Sequence, residues 1–253
     1  MTNPVSIENL WKVYPARGNE HGQENLIALE DVSFELHEHE FVCVLGPSGC
    51  GKSTLLRIVA GLETADYGSV QVSSRPSVVF QEHGIFPWRS VAGNVGYPLQ
   101  LRHEPRRTRK AKVDELLDLV GLKEFRNYYP SQLSGGMRQR VSVARALADD
   151  GETLLMDEPF GALDEQTRVG LQQEILSIWR RTSKAVLFIT HSVDESLILA
   201  DRIIVMSHRP GRIIAQIQVP FERPRSLVSI RKDPRYAQIT AELWDLLGRR
   251  DAE

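Results

Sequence analysis

The chain has 253 residues, 42% of them hydrophobic and 25% charged, with a formal net charge of −2 at pH 7. That is ordinary for a globular protein and gives no general pull toward nucleic acid or an anionic membrane surface. No apolar run approaches the ~18 residues of a membrane-crossing helix, and the first residues lack the charged and apolar regions of a secretory signal, so a membrane role is expected only through partner proteins.

Val5 to Tyr14 and Leu26 to Leu36 alternate apolar and polar residues, and Phe41 to Leu45 is a continuous apolar run. The pattern predicts three strands forming a meander, with a hydrophilic loop from Pro15 to Asn25. Tyr14 ends the first strand, where its ring suits either stacking on a nucleotide base or ordinary edge packing. Residues 46–54, Gly-Pro-Ser-Gly-Cys-Gly-Lys-Ser-Thr, then match G-x-x-x-x-G-K-[ST]. In this pattern glycines let backbone N–H groups point inward at a triphosphate. The candidate contacts are Gly46, Pro47, Ser48, Gly49, Cys50, Gly51, Lys52, Ser53 and Thr54. Lys52 supplies charge for the β- and γ-phosphates, and Ser53 a hydroxyl for Mg²⁺. Thr54 to Gly61 predicts a helix whose positive end faces the phosphates. Cys43 and Cys50 read as reduced thiols. Cys50 reads as a small residue in a tight loop, not a nucleophile, since no His or Asp lies near it in sequence.

A turn at Asp66-Tyr67-Gly68 precedes short predicted strands at Ser69–Val72 and Ser77–Phe80. The second strand delivers Gln81 to the end of an apolar strand, where such sheets bind ligands. Glu82 to Arg89 then presents Ile85, Phe86 and Trp88 around Pro87, which reads either as a contact surface or as a satellite core. Residues 102–112 hold six Lys or Arg and one Glu. Without interleaved aromatics this is a solvated helix start, and Val113, Leu116, Leu117 and Val120 continue at helical spacing to a stop at Gly121. The interrupted β-α alternation predicts a helical insert at residues 91–129. Ser134, Gly135 and Gly136 open an amphipathic helix through Ala148, either as a second anion-binding helix start or as a plain cap.

Leu154 to Met156 leads to Asp157 and Glu158. Paired acids on so apolar a strand suit a metal shell and the orientation of an attacking water. After Gly161 to Asp164 comes a long helix with Leu171, Ile175, Ile178 and Trp179 on one face. The strand Ala185–Thr190 ends in His191, the same kind of position as Gln81 and Asp157. Strands at Ile203–Met206 and Ile213–Val219 complete the set. A Pro- and Arg-bearing tail with an amphipathic helix (Ile239, Leu243, Leu246, Leu247) follows, too short for a sizeable regulatory domain.

In their order these motifs resemble the ATP-binding cassette (ABC) family, the Leu-Ser-Gly-Gly signature at 133–136 being the discriminating element. The resemblance implies an α/β P-loop NTPase core (residues 1–90 and 130–220) with an N-terminal antiparallel β meander, a helical insert (91–129) and a C-terminal tail (221–253). It implies that Tyr14 stacks on adenine, that Ser53, Gln81 and Asp157 serve Mg²⁺, and that Glu158 is the general base. Gln81 would also sense the attacking water and His191 the γ-phosphate. Ser134, Gly135 and Gly136 would complete the ATP site of a second cassette. The partners implied are that cassette, two transmembrane permease subunits and, indirectly, a solute-binding protein, at the cytoplasmic face of a bacterial inner membrane, with no nucleic acid. Residues 80–89, Arg209-Pro-Gly-Arg-Ile213 and residues 231–236 are similar to the ATPases of nitrate, sulfonate and taurine importers. A soluble ABC ATPase uncoupled from transport is the alternative, though such proteins usually carry two cassettes or a coiled-coil insert. A kinase-type phosphotransferase would leave the signature unexplained. Two positions depart from the family: Glu38-His39-Glu40 stands where a glycine is common, and Ser192 follows His191 where an acid is common.

Overall fold

The computed structural model describes residues 3–15, 25–82, 84–161, 164–182 and 184–248. Most of the loop expected at Pro15 to Asn25, together with His83, Ala162 and Leu163, lies outside them. The chain divides into two compact units, Met1–Pro76 with Ala185–Glu253, and Ser77–Lys184. The helical segment expected at 91–129 falls within the second unit.

The first unit contains β1 (Val5–Tyr14), β2 (Leu26–Leu36), β3 (Phe41–Leu45), α1 (Lys52–Val59) and β4 (Tyr67–Val72), then β7 (Ala185–Thr190), α7 (Val193–Leu199), β8 (Arg202–Met206), β9 (Ile213–Gln218), α8 (Leu227–Ile230) and α9 (Pro234–Gly248). Its antiparallel sheet has the order β2-β1-β4. The expected meander is therefore corrected in its third member: β3 pairs in parallel with β7 and β8, and β4 takes its place beside β1. The composition of β3 explains the difference. All five of its residues are buried, the requirement of a strand covered on both faces, whereas β1 interleaves buried residues with half-buried or exposed ones. Within β1 the alternation slips at Glu8-Asn9, because Asn9 adopts φ 48 and the pairing to β2 jumps from Ile7 to Leu10. Asn tolerates this left-handed conformation better than most residues, and its side-chain amide donates to Asp31 Oδ1 at 2.9 Å.

Both departures from the family pattern find a local explanation. His39 takes the left-handed conformation (φ 58) that a glycine would otherwise supply, and Glu40 N–H closes the turn onto His37 O at 3.2 Å. Glu40 then meets the buried Arg202 guanidinium through both carboxylate oxygens, at 2.8 and 2.9 Å. Burial pushes the Glu40 carboxyl up, but the Arg202 pairing outweighs it and holds the group below its ordinary range.

The second unit contains β5 (Ser77–Val79), α2 (Val91–Val95), α3 (Tyr97–Leu101), α4 (Arg106–Leu119), α5 (Gly135–Leu147), β6 (Thr153–Asp157) and α6 (Glu165–Thr182). β5 and β6 run parallel, with Val79 opposite Met156. The basic stretch opens α4 as a mostly exposed first half, and Val113, Leu116, Leu117 and Val120 are buried as their spacing predicts.

Candidate functional site

In the first unit, the order β7-β3-β8 and the pairings Leu45↔Thr190 and Leu45↔Val205 bring three loops to one end of the sheet. They are the 46–51 loop after β3, His191 after β7 and residues 207–212 after β8. The carboxyl ends of parallel strands are where such sheets take ligands. Gly49 and Gly51 adopt φ 79 and 104, and a Cβ on Gly51 would lie 2.6 Å from Ala28 O, so glycine is required there for both conformation and space. The Cys50 side chain is buried, its Sγ 2.9 Å from where a Cβ on Gly46 would stand. That is packing inside the loop, as expected of a small residue. Lys52 is only 4% exposed, and its ammonium donates to Gly46 O and Pro47 O, each at 2.9 Å. A buried ammonium folded over the loop carbonyls, with Ser53 and Thr54 following it in the first turn of α1, is a built cradle for polyphosphate.

Tyr14 stands beside this turn. Its hydroxyl donates to Glu63 Oε1 at 2.6 Å and lies 3.4 Å from Thr54 Oγ1, while Lys12 Nζ sits 5.4 Å from its ring centroid. Burial, then the Glu63 hydrogen bond, raises the phenol above its ordinary range, which keeps it a donor. His191 is exposed, and its neighbours are locked: Thr190 Oγ1 donates to Glu195 Oε2 at 2.6 Å, and Ser192 N–H donates to Thr190 Oγ1 at 3.0 Å. Ser192 also caps α7, accepting from Glu195 N–H at 3.3 Å, a task a serine performs as well as the commoner acid.

Sequence reading missed the tail's grip on α7. Asp194 accepts from Arg231 Nη2 at 2.9 Å and from the Tyr236 hydroxyl at 2.5 Å. At the other end of α7, Arg223 donates to Leu199 O at 2.6 Å, and Arg225 donates to Leu197 O and Ala200 O. Guanidinium groups commonly satisfy the last carbonyls of a helix, and the Pro- and Arg-bearing composition of the tail was the available signal.

In the second unit, the register of β5 and β6 sends Gln81 and the acids Asp157 and Glu158 out at the same end. Gln81 is exposed, Asp157 is buried and Glu158 is half-buried. A Cβ on Gly161 would meet the backbone carbonyl of Glu158 at 3.5 Å and Gln81 Nε2 at 3.6 Å, so the Gln81 amide lies against the turn that carries Glu158. Glu158 adopts φ 41, a left-handed conformation that costs a glutamate free energy, as residues at functional sites often do. Ser134 caps the 13-residue α5 by accepting from Met137 N–H at 3.3 Å, and it is exposed, leaving that helix start open. A Cβ on Gly136 would come 2.9 Å from Thr167 Cγ2, which is how α5 lies so close to α6.

The loop after Gln81 resolves the two readings of its apolar residues by dividing them. Phe86 turns inward, its ring centroid 4.8 Å from Tyr97 and its face 5.5 Å from the Arg145 guanidinium. The fully buried Asn94 holds the backbone, accepting from Phe86 N–H at 2.7 Å and donating to Phe86 O, Arg89 O and Ser90 O. Trp88 stays 72% exposed.

A family model described as ABC transporter matches residues 29–161. The chain belongs to the ABC transporter family. It is 44% identical to the nitrate import ATP-binding protein NrtD of Synechococcus elongatus, over 89% of this chain and 86% of that one. It is 46% identical to the taurine import ATP-binding protein TauB of Rhizobium johnstonii, over 87% and 88%. A dimeric structure of the ABC transporter cassette MJ0796 superposes with a TM-score of 0.73 and 29% identity, covering 86% of this chain and all of that one. A second structure of MJ0796 is described as a post-hydrolysis state bound to ADP and phosphate. This ABC chain is accordingly an ATP-hydrolysing cassette.

Proposed function

We propose that the chain is the ATP-hydrolysing subunit of an ABC importer for a small anion or organic solute of the nitrate or taurine type. The observation that carries ATP binding is the loop around the buried Lys52 ammonium at the head of α1; the importer assignment draws on relatives named for nitrate and taurine import. Lys52 and the N–H groups of residues 46–54 hold the phosphates, and Tyr14 lies against the base. Ser53, Gln81 and Asp157 are hard oxygen donors suited to Mg²⁺, an ion that keeps several waters and is bound largely through phosphate. Consistent with that, no group of three or more His, Cys, Asp or Glu among the described residues is arranged to hold a metal. When bound, Mg²⁺ neutralises charge on the phosphates. Glu158 takes a proton from the attacking water, Gln81 and His191 position the water and γ-phosphate, and Ser134, Gly135 and Gly136 face the triphosphate of a second copy or close homologue.

Among the described residues no helix is long and apolar enough to cross a membrane. Two permease subunits, served by a solute-binding protein, would therefore hold the cassette pair at the cytoplasmic face of the membrane. We place the permease contact at the loop following Gln81, where Trp88 is open to a partner. Trp88→Ser is expected to leave the melting temperature and basal ATPase rate of the isolated chain unchanged, while abolishing co-purification with the permease and solute-stimulated hydrolysis. Phe86→Ser removes ring contacts with Tyr97 and Trp88 and the guanidinium contacts of Arg89 and Arg145. It should lower the melting temperature by roughly 2–4 °C for each ~1 kcal/mol of packing lost. A Trp88→Ser chain that still co-purifies and is still stimulated by solute would move the permease contact elsewhere.

A further inference from the structure

We propose that Arg209, on the turn between β8 and β9, is a positioning residue for the phosphate loop and sets nucleotide affinity. Its Nε and Nη2 both donate to Gly49 O, at 3.2 and 2.9 Å. The trans peptide geometry points the carbonyl of Gly49 and the N–H of Cys50 in opposite directions. Holding that carbonyl outward keeps the Cys50 N–H directed into the loop, where it lies 3.4 Å from Pro47 O. The peptide follows a glycine in the left-handed region (φ 79) and precedes, by one residue, another (φ 104). Backbone of that kind turns over readily unless something holds it.

The turn carrying Arg209 is itself built to stay in place. Gly211 N–H donates to Ala28 O and Glu30 N–H to Gly211 O, both at 3.1 Å. The Arg212 guanidinium pairs with Glu30 at 2.6 Å. A Cβ on Gly211 would fall 2.1 Å from Cys50 O, so this backbone approaches the loop as closely as glycine permits. The turn thus braces the loop on one side and sets one guanidinium on its open edge, a contact that no step of hydrolysis requires.

The inference rests on residues 46–54 being the triphosphate site, and the test separates the two. Binding of a methylanthraniloyl-labelled ATP to the full chain would be titrated for wild type, Arg209→Ala, Arg209→Lys and Lys52→Ala. Arg209→Ala is expected to weaken binding roughly fivefold, a modest effect because the contact is solvent-exposed. KM for ATP should rise by a similar factor while kcat falls less than twofold, the signature of lost uniform binding. Arg209→Lys, which keeps the charge and one hydrogen bond, should recover about half of the loss on a logarithmic scale. Unchanged affinity in Arg209→Ala would overturn the proposal, as would a loss that Arg209→Lys does not recover and that accompanies a lower melting temperature. Unchanged affinity in Lys52→Ala would instead overturn the assignment of the site.

Discussion

Replacing Glu158 by Gln is expected to cut ATP hydrolysis by a factor on the order of 10²–10⁴ while leaving ATP binding intact, the usual span for a positioned base. The substitution keeps size and hydrogen-bonding shape and removes only the ability to accept the proton of the attacking water. The backbone argues that the position is specialised. Glu158 directly follows a wholly buried strand and sits at φ 41, a conformation that a side chain needed only for solvation would have no reason to keep. Its carbonyl and the Gln81 amide both lie against Gly161, so the residue that follows β5 and the acid that follows β6 meet at one turn. Phosphate release and binding of a labelled ATP, measured on the same preparation, check both halves of the expectation. Wild-type turnover in Glu158→Gln would mean that another group activates the water.

Mixing two inactive chains should restore activity. The chain has two anion-binding helix starts, at Gly51-Lys52-Ser53 and at Ser134-Gly135-Gly136, but one pair of acids ending an apolar strand. The proposed arrangement, one triphosphate bound between two chains with each lending its signature to the other, would account for this. Lys52→Ala removes the phosphate contact in its own site, and Ser134→Arg blocks the site of its partner. Each homodimer then has no competent site, whereas a mixed dimer has one. With random pairing at equal concentrations, up to about a quarter of the wild-type rate per chain returns. Ser134→Arg also removes a cap worth ~1 kcal/mol, so its melting temperature should be followed alongside. No recovery from two folded variants would show that both helix starts serve a single chain.

The parts of this molecule that were legible in its sequence are those set by local pattern. The phosphate loop, the signature turn and the strand-end positions of Gln81, Asp157 and His191 follow from short-range spacing, because a strand, a glycine turn and a helix start are each decided within a few residues. What was not legible depends on contacts distant in sequence. β3 reads like the third strand of a meander until β7 and β8, over 140 residues later, take both its edges. The apolar residues after Gln81 look equivalent in sequence, yet Phe86 packs on Tyr97 and Arg145 while Trp88, beside Phe86, stays 72% exposed. Nor does local pattern show that Arg209, Arg223, Arg225 and Arg231 each hold a backbone carbonyl or a carboxylate of α7 or of the phosphate loop. His39 shows the same limit on a smaller scale, since nothing in its residue type announces a positive φ.

The most direct test of the central claim, that ATP is hydrolysed between two cassettes, is the ATPase rate per chain as a function of protein concentration. For the purified chain with Mg²⁺ and saturating ATP, the rate per chain is expected to rise with concentration and then level off as pairing saturates. Glu158→Gln should elute as a dimer with ATP and as a monomer once ATP is removed. A monomeric chain whose rate per molecule does not change with concentration would contradict the account.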